Sequence, residues 1–86
     1  MDIEAEILSV YADCSIENWD GYDASAITKK TMENAKSFVI NFPEFFKDRT
    51  VAVIPENNGD IVIEIYSAHS DLVLHFNFCF HIGRHN

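Results

Sequence analysis

The residue types able to bind a metal or attack a carbonyl gather toward the C-terminus, where His69, His75, Cys79, His81 and His85 fall within a short stretch. On a strand, residues two apart are about 6.6 Å apart, so Cys79 and His81 could share a zinc ion. His75 lies about 13 Å from Cys79 along the backbone and could not easily join them. A third ligand would have to come from His85 or another strand, and Cys-x-x-Cys spacing is absent. The plainer reading of His75, Cys79 and His81 is a half-polar sheet face. A Cys-His nucleophile pair would also need a pocket and an oxyanion stabiliser, for which 86 residues with three glycines offer little. Asp60 and Glu64 could be taken as paired carboxylates, but Glu64 is better placed on a solvent face beside Tyr66. With no phosphate-binding loop and no nucleotide fingerprint, the expectation is a non-enzyme without a cofactor or resident metal.

Charge is the second chemical signal. Fourteen acids against six bases give a formal charge of −8, and seven of those acids (Asp2, Glu4, Glu6, Asp13, Glu17, Asp20 and Asp23) precede the first base, Lys29. Such a field repels a phosphate backbone, so direct nucleic-acid binding is not expected, and it attracts basic protein surfaces. The competing explanation is that net charge keeps a small domain soluble. If the charge meets a partner, the residues expected to touch it are Asp2, Glu6 and Asp13 along the first helix, with Asp20, Tyr22 and Asp23 in the loop that follows.

These residues need elements to hold them. Ile3, Ile7, Val10, Tyr11 and Cys14 recur at three- and four-residue steps, which predicts an amphipathic helix over residues 2 to 14. Residues 15 to 27 read as an ordered connection with Gly21 at positive φ and with Trp19 and Tyr22 packed between the helices and the sheet, the alternative being a contact loop that exposes an aromatic. A second helix is predicted from an N-cap at Thr28, with Ile27 and Met32 as a hydrophobic staple, to about Phe42 before Pro43. Lys29 and Lys30 fall at its unfavourable positive end.

From Thr50 the period changes to two, predicting strands at Val51 to Ile54, Ile61 to Tyr66 and Leu72 to His81. A three-residue loop with Gly59 as a left-handed bulge sets Val51, Val53 and Pro55 opposite Ile65, Ile63 and Ile61, joining the apolar rows on the helix-facing side. On the last strand, Leu72, Leu74, Phe76, Phe78 and Phe80 share one face. Pairing Ile65 with Leu72 and Ile61 with Phe76 makes that strand outrun its neighbour, so Phe78 and Phe80 need cover, from the helices or from a second copy in a homodimer.

The run Asn18-Trp19-Asp20-Gly21-Tyr22, followed by Ala24, Ile27 and Ala35 and then by Pro55, Gly59-Asp60-Ile61 and Glu64, resembles a group of small bacterial proteins without an assigned activity. They carry an Asn-Trp-Asp-Gly-Tyr-Gly-Ala run, a helix, and a hairpin with Asp-Gly before a strand ending Glu-Trp. The resemblance spans roughly residues 17 to 65, and only the Trp-Asp-Gly-Tyr run is at all specific. Asp23 stands where that group has glycine, and Ile65 where it often has tryptophan. The resemblance implies a fold and no catalytic residue.

The sequence therefore predicts one α+β domain over residues 1 to 86, with two helices on one face of a three-stranded antiparallel sheet in the order α-α-β-β-β. No signal-like segment opens it and no apolar stretch nears the roughly 20 residues that span a bilayer, so a cytoplasmic protein with reduced cysteines is expected. The functional expectation is an acidic inhibitor or adaptor of bacterial or phage origin, of antitoxin, immunity or anti-CRISPR type, that blocks a basic surface. A metal- or ligand-binding module on His75, Cys79 and His81, or a homo-oligomeric structural protein, are the alternatives.

Overall fold

A computed structural model of the chain describes residues 2–69 and 71–79. Helix α1 runs Ile3–Cys14. Asp2 caps it, its carboxylate accepting the Ala5 N–H at 3.3 Å, and Glu4 and Glu6 lie in the first turn where the helix dipole favours negative charge. Helix α2 runs Lys29–Asn41, capped as expected by Thr28, whose Oγ1 accepts the Thr31 N–H at 3.2 Å. Ile27 and Met32, on either side of that cap, are both buried in the core cluster. Nothing in the structure explains the two exposed lysines, Lys29 and Lys30, in its first turn. Pro43 ends α2 and opens a single 3-10 turn, Pro43–Phe45.

Three strands follow, β1 (Thr50–Pro55), β2 (Ile61–Tyr66) and β3 (Leu72–Phe78), in one antiparallel sheet of order β1-β2-β3. The α+β order read from the sequence is the observed one. In the β1-β2 hairpin Val51, Val53 and Pro55 lie opposite Ile65, Ile63 and Ile61, the expected register. The turn explains it: Gly59 donates to the Glu56 carbonyl at 3.0 Å with φ of 94°, and Glu56 N–H bonds the Asp60 carbonyl at 2.9 Å across the loop. A left-handed residue after a type I turn closes such a three-residue loop.

The β2-β3 register differs from the expected one. Ile65 faces Leu74, Ile63 faces Phe76 and Ile61 faces Phe78, so Phe78 lies beside β2 and does not overhang it. The Ser67 hydroxyl accepts from the His69 and Asp71 N–H groups, both at 3.2 Å, and pairing restarts at Tyr66 and Leu72. Continued without a break, that register would turn Val73, His75 and Asn77 toward the helices and the apolar row toward solvent. A register shift at Ile65 and Tyr66 leaves Val73 as an extra residue and reverses this. Leu72 is consequently parted from the Leu74 face and is 53% exposed. Phe80, the other residue of the expected overhang, and His81, the expected strand end, lie outside the described residues.

The core lies between the helices and the face of the sheet that carries the odd-numbered residues of β1 and β2 and Leu74, Phe76 and Phe78 of β3, centred on Ile7, Ile27, Ile61, Ile63 and Ile65, all essentially without solvent contact. Phe38 of α2 joins it to a group of rings, with centroids 4.6 Å from Phe76, 5.1 Å from Phe42 and 5.6 Å from Phe78. Phe45 and Phe46, carried in by the 3-10 turn, complete the group at 5.9 and 5.8 Å from Phe38.

Candidate functional site

The seven early acids divide by what their carboxylates touch. Asp20 accepts the Tyr22 N–H at 2.7 Å and the Ala24 N–H at 3.1 Å on one oxygen. Glu17 accepts the Ala26 N–H at 2.9 Å, and the Asn18 side chain accepts the Asp23 N–H at 2.7 Å. These groups satisfy the backbone of a loop that contains three left-handed residues, Asn18 (φ 64°), Gly21 (φ 80°) and Asp23 (φ 67°). Glycine occupies that region freely, and Asn and Asp tolerate it better than other side chains. The loop is tied to the fold at both ends: Ile27 N–H donates to the Cys14 carbonyl at 2.8 Å, and Ser25 N–H to the Asn57 carbonyl of the hairpin at 2.7 Å.

Trp19 is half-buried against the core, with its indole N–H donating to the Ser25 carbonyl at 2.8 Å. Tyr22 departs from the expected packing. The Asp20 contact and the left-handed Gly21 turn the chain so that Tyr22 points outward, 86% exposed. Its neighbour Asp23 is exposed as well.

On α1, Glu6 and Asp13 are exposed, and with the cap residue Asp2 they fall within about 40° of one another around the helix. Ile3, Ile7, Val10 and Cys14 turn to the core side. Among the described residues none of Asp2, Glu6, Asp13 or Asp23 forms an ion pair; the single pair there is His75 with Glu64. Asp13 also occupies the last turn of α1, where no basic residue offsets it against the negative end of the dipole. Thus Glu6, Asp13, Tyr22 and Asp23 present free side chains, Asp2 shares its carboxylate with the helix end, and Asp20 has a structural task.

The histidine face holds a different arrangement. Glu64 and His75 are cross-strand partners on the outer face of the sheet, with His75 Nδ1 3.6 Å from a Glu64 oxygen and the His75 side chain 51% exposed. The Tyr66 hydroxyl donates to the other Glu64 oxygen. That hydrogen bond raises the Tyr66 pKa above the ordinary tyrosine value, helped by burial and by the Glu64 charge. Cys79 follows the last residue of β3, and His81 and His85 lie outside the described residues. Among the described residues no three His, Cys, Asp or Glu side chains are placed to hold a metal. Sequence reasoning set Glu64 beside Tyr66 on the outer face but missed His75 as their partner, because that pairing depends on the shifted β3 register.

Cys14, the other thiol, is buried at the end of α1, and burial with the adjacent Asp13 charge pushes its pKa up, which disfavours the thiolate a nucleophile needs. A shallow groove of about 680 Å³ lies where the start of α1 meets the end of α2, between Ile3, Val39, Ile40 and Phe46. No buried side-chain polar atom of the described residues lacks a hydrogen-bond partner, so none aims unpaired into it. Among the described residues no helix is long and apolar enough to cross a membrane. Comparison of the chain with protein-family models, with curated proteins and with solved structures finds no match, so the chemistry of these surfaces carries the functional argument.

Proposed function

We propose that this chain is a non-catalytic acidic inhibitor or adaptor, of antitoxin, immunity or anti-CRISPR type, that covers a basic surface of a protein target in a bacterial or phage setting. The observation that carries the reading is the set of exposed acids on α1 and in the following loop, Glu6, Asp13 and Asp23, which no Lys or Arg of the described residues neutralises. A soluble domain gains little from leaving Asp13 at the negative end of a helix, whereas a partner rich in Lys and Arg would offset that cost. Beside it the loop holds Tyr22 outward on a backbone fixed by its own hydrogen bonds, so an aromatic contact would lose little conformational entropy on binding.

The test begins with a tagged-protein pulldown from host lysate, the bound target being identified by mass. Association with that target is then followed as added salt shortens the screening length from about 10 Å at 0.1 M toward about 3 Å at 1 M. The association rate should fall steeply and dissociation change less. The variant Glu6→Lys, Asp13→Lys, Asp23→Asn leaves the Asp2 cap and the left-handed position 23 intact, and because the dipole cost of lysine at position 6 is offset by its gain at position 13, it should bind more weakly while melting close to the parent. A target surface that is acidic or apolar, or equal binding by the variant at low salt, would remove the proposal.

A further inference from the structure

β3 forms one edge of the sheet, and its outer backbone row meets no other strand among the described residues. Such a row is a template for another strand, and proteins that keep it single guard it with Lys, Pro, bulges or inward-pointing charge. Leu72–Phe78 contains no Lys, no Pro and no acid, and its bulge at Val73 lies near its beginning, leaving Leu74–Phe78 in regular register. The opposite edge differs, because β1 ends in Pro55, which has no N–H to offer another strand.

The side chains along the β3 edge are also incompletely covered. Ile61, Ile63 and Ile65 on the central strand have no solvent contact, whereas Leu74, Phe76 and Phe78 beside them remain partly exposed. Val73 adds a side chain 48% exposed.

We propose that a second copy of this chain occupies this edge, pairing its own β3 antiparallel across a two-fold axis at His75 to make a continuous six-stranded sheet. In that register Leu74 of one copy faces Phe76 of the other, so apolar residues meet on the helix-covered side, and the bulged Val73 of each copy lies near the end of the paired stretch. Charge selects this surface and this occupant. Copies with a formal charge of −8 repel over much of their surface, but Leu72–Phe78 carries no Asp, Glu, Lys or Arg. On the outer face each His75 keeps its Nδ1 3.6 Å from its own Glu64, so at the axis two imidazoles stand between two carboxylates, a complementary row where two acidic molecules approach.

Sedimentation velocity of the full chain between about 1 μM and about 1 mM should show a monomer-dimer equilibrium. His75→Lys places a cation beside Glu64 within each copy but brings two ammonium groups together at the axis, so dimerisation should weaken roughly fivefold or more. Circular dichroism checks that the variant is folded. If it is not, Val73→Lys takes its place, putting a guarding charge on the edge at an already exposed position, and should weaken the dimer likewise. A wild-type chain that stays monomeric throughout, or a folded edge variant that dimerises as tightly as wild type, overturns the proposal.

Discussion

Gly59 and Gly21 share a left-handed backbone and differ in what surrounds them, which makes the pair a controlled measurement of one close contact. Gly21 has φ of 80° with nothing within 4 Å of where a Cβ would stand, whereas at Gly59, with φ of 94°, a Cβ would lie 3.1 Å from the Ala26 carbonyl oxygen. Gly21→Ala should therefore cost only the left-handed strain, about 1–2 kcal/mol. Gly59→Ala carries the same strain and must also push the Ala26 carbonyl, which belongs to a segment fixed by the Ala26 bond to Glu17 and the neighbouring Ser25 bond to Asn57. Overpacking against atoms that cannot give way adds about 1–3 kcal/mol, for a total near 2–5 kcal/mol. In a domain of this size each kcal/mol lowers Tm by about 4–8 °C, so the two variants should separate clearly. Urea unfolding followed by Trp19 fluorescence, with thermal melts by circular dichroism, measures both. Equal losses for the two would refute the docking of the loop on the hairpin, and a neutral Gly59→Ala would refute the left-handed turn and with it the account of the β1-β2 register.

Asp20→Ala removes the acceptor shared by two backbone N–H groups and should cost about 1–2 kcal/mol, water replacing part of the loss, while Asp20→Asn keeps an acceptor oxygen and most of the stability. Amide exchange at Tyr22 and Ala24 should quicken in the alanine variant alone, and unchanged exchange would show that the loop is held by other means. Tyr66 supplies a pH test. Its pKa is raised from 10.0 by the hydrogen bond to Glu64, so the folded chain holds the phenol proton more tightly than the unfolded chain does. The stability this contributes is complete below about pH 10 and is lost as pH rises through the raised value. The stability difference between wild type and Tyr66→Phe should shrink across that alkaline range, and a constant difference would refute the coupling.

Local chemistry made much of this chain legible. The three- and four-residue spacing of Ile3, Ile7, Val10 and Cys14, the Thr28 cap and Pro43 are short-range signals, and they define helices that tertiary packing had no reason to override. The β1-β2 register was readable for the same reason, since a left-handed Gly59 in a three-residue loop and two matching apolar rows point to one answer. Asp23 is at positive φ here, a conformation that the sequence reading assigned only to the two glycines.

Tertiary structure decided the rest. The alternation of β3 specified that Leu74, Phe76 and Phe78 share a face but not where an extra residue would enter, and the bulge at Val73 parted Leu72 from them, brought Phe78 beside Ile61 and set His75 against Glu64. Phe45 and Phe46 sit in no periodic pattern, and only the 3-10 turn after Pro43 carries them to the Phe38 rings. Nor could composition divide the early acids. Asp20 and Glu17 became backbone acceptors while Glu6, Asp13 and Asp23 stayed exposed, because their roles depend on which N–H groups a folded loop leaves within reach. Periodicity and turn chemistry act between residues near in sequence and survive in the bare string, whereas a bulge, a ring cluster and a carboxylate's partner depend on atoms brought together only when the chain has closed.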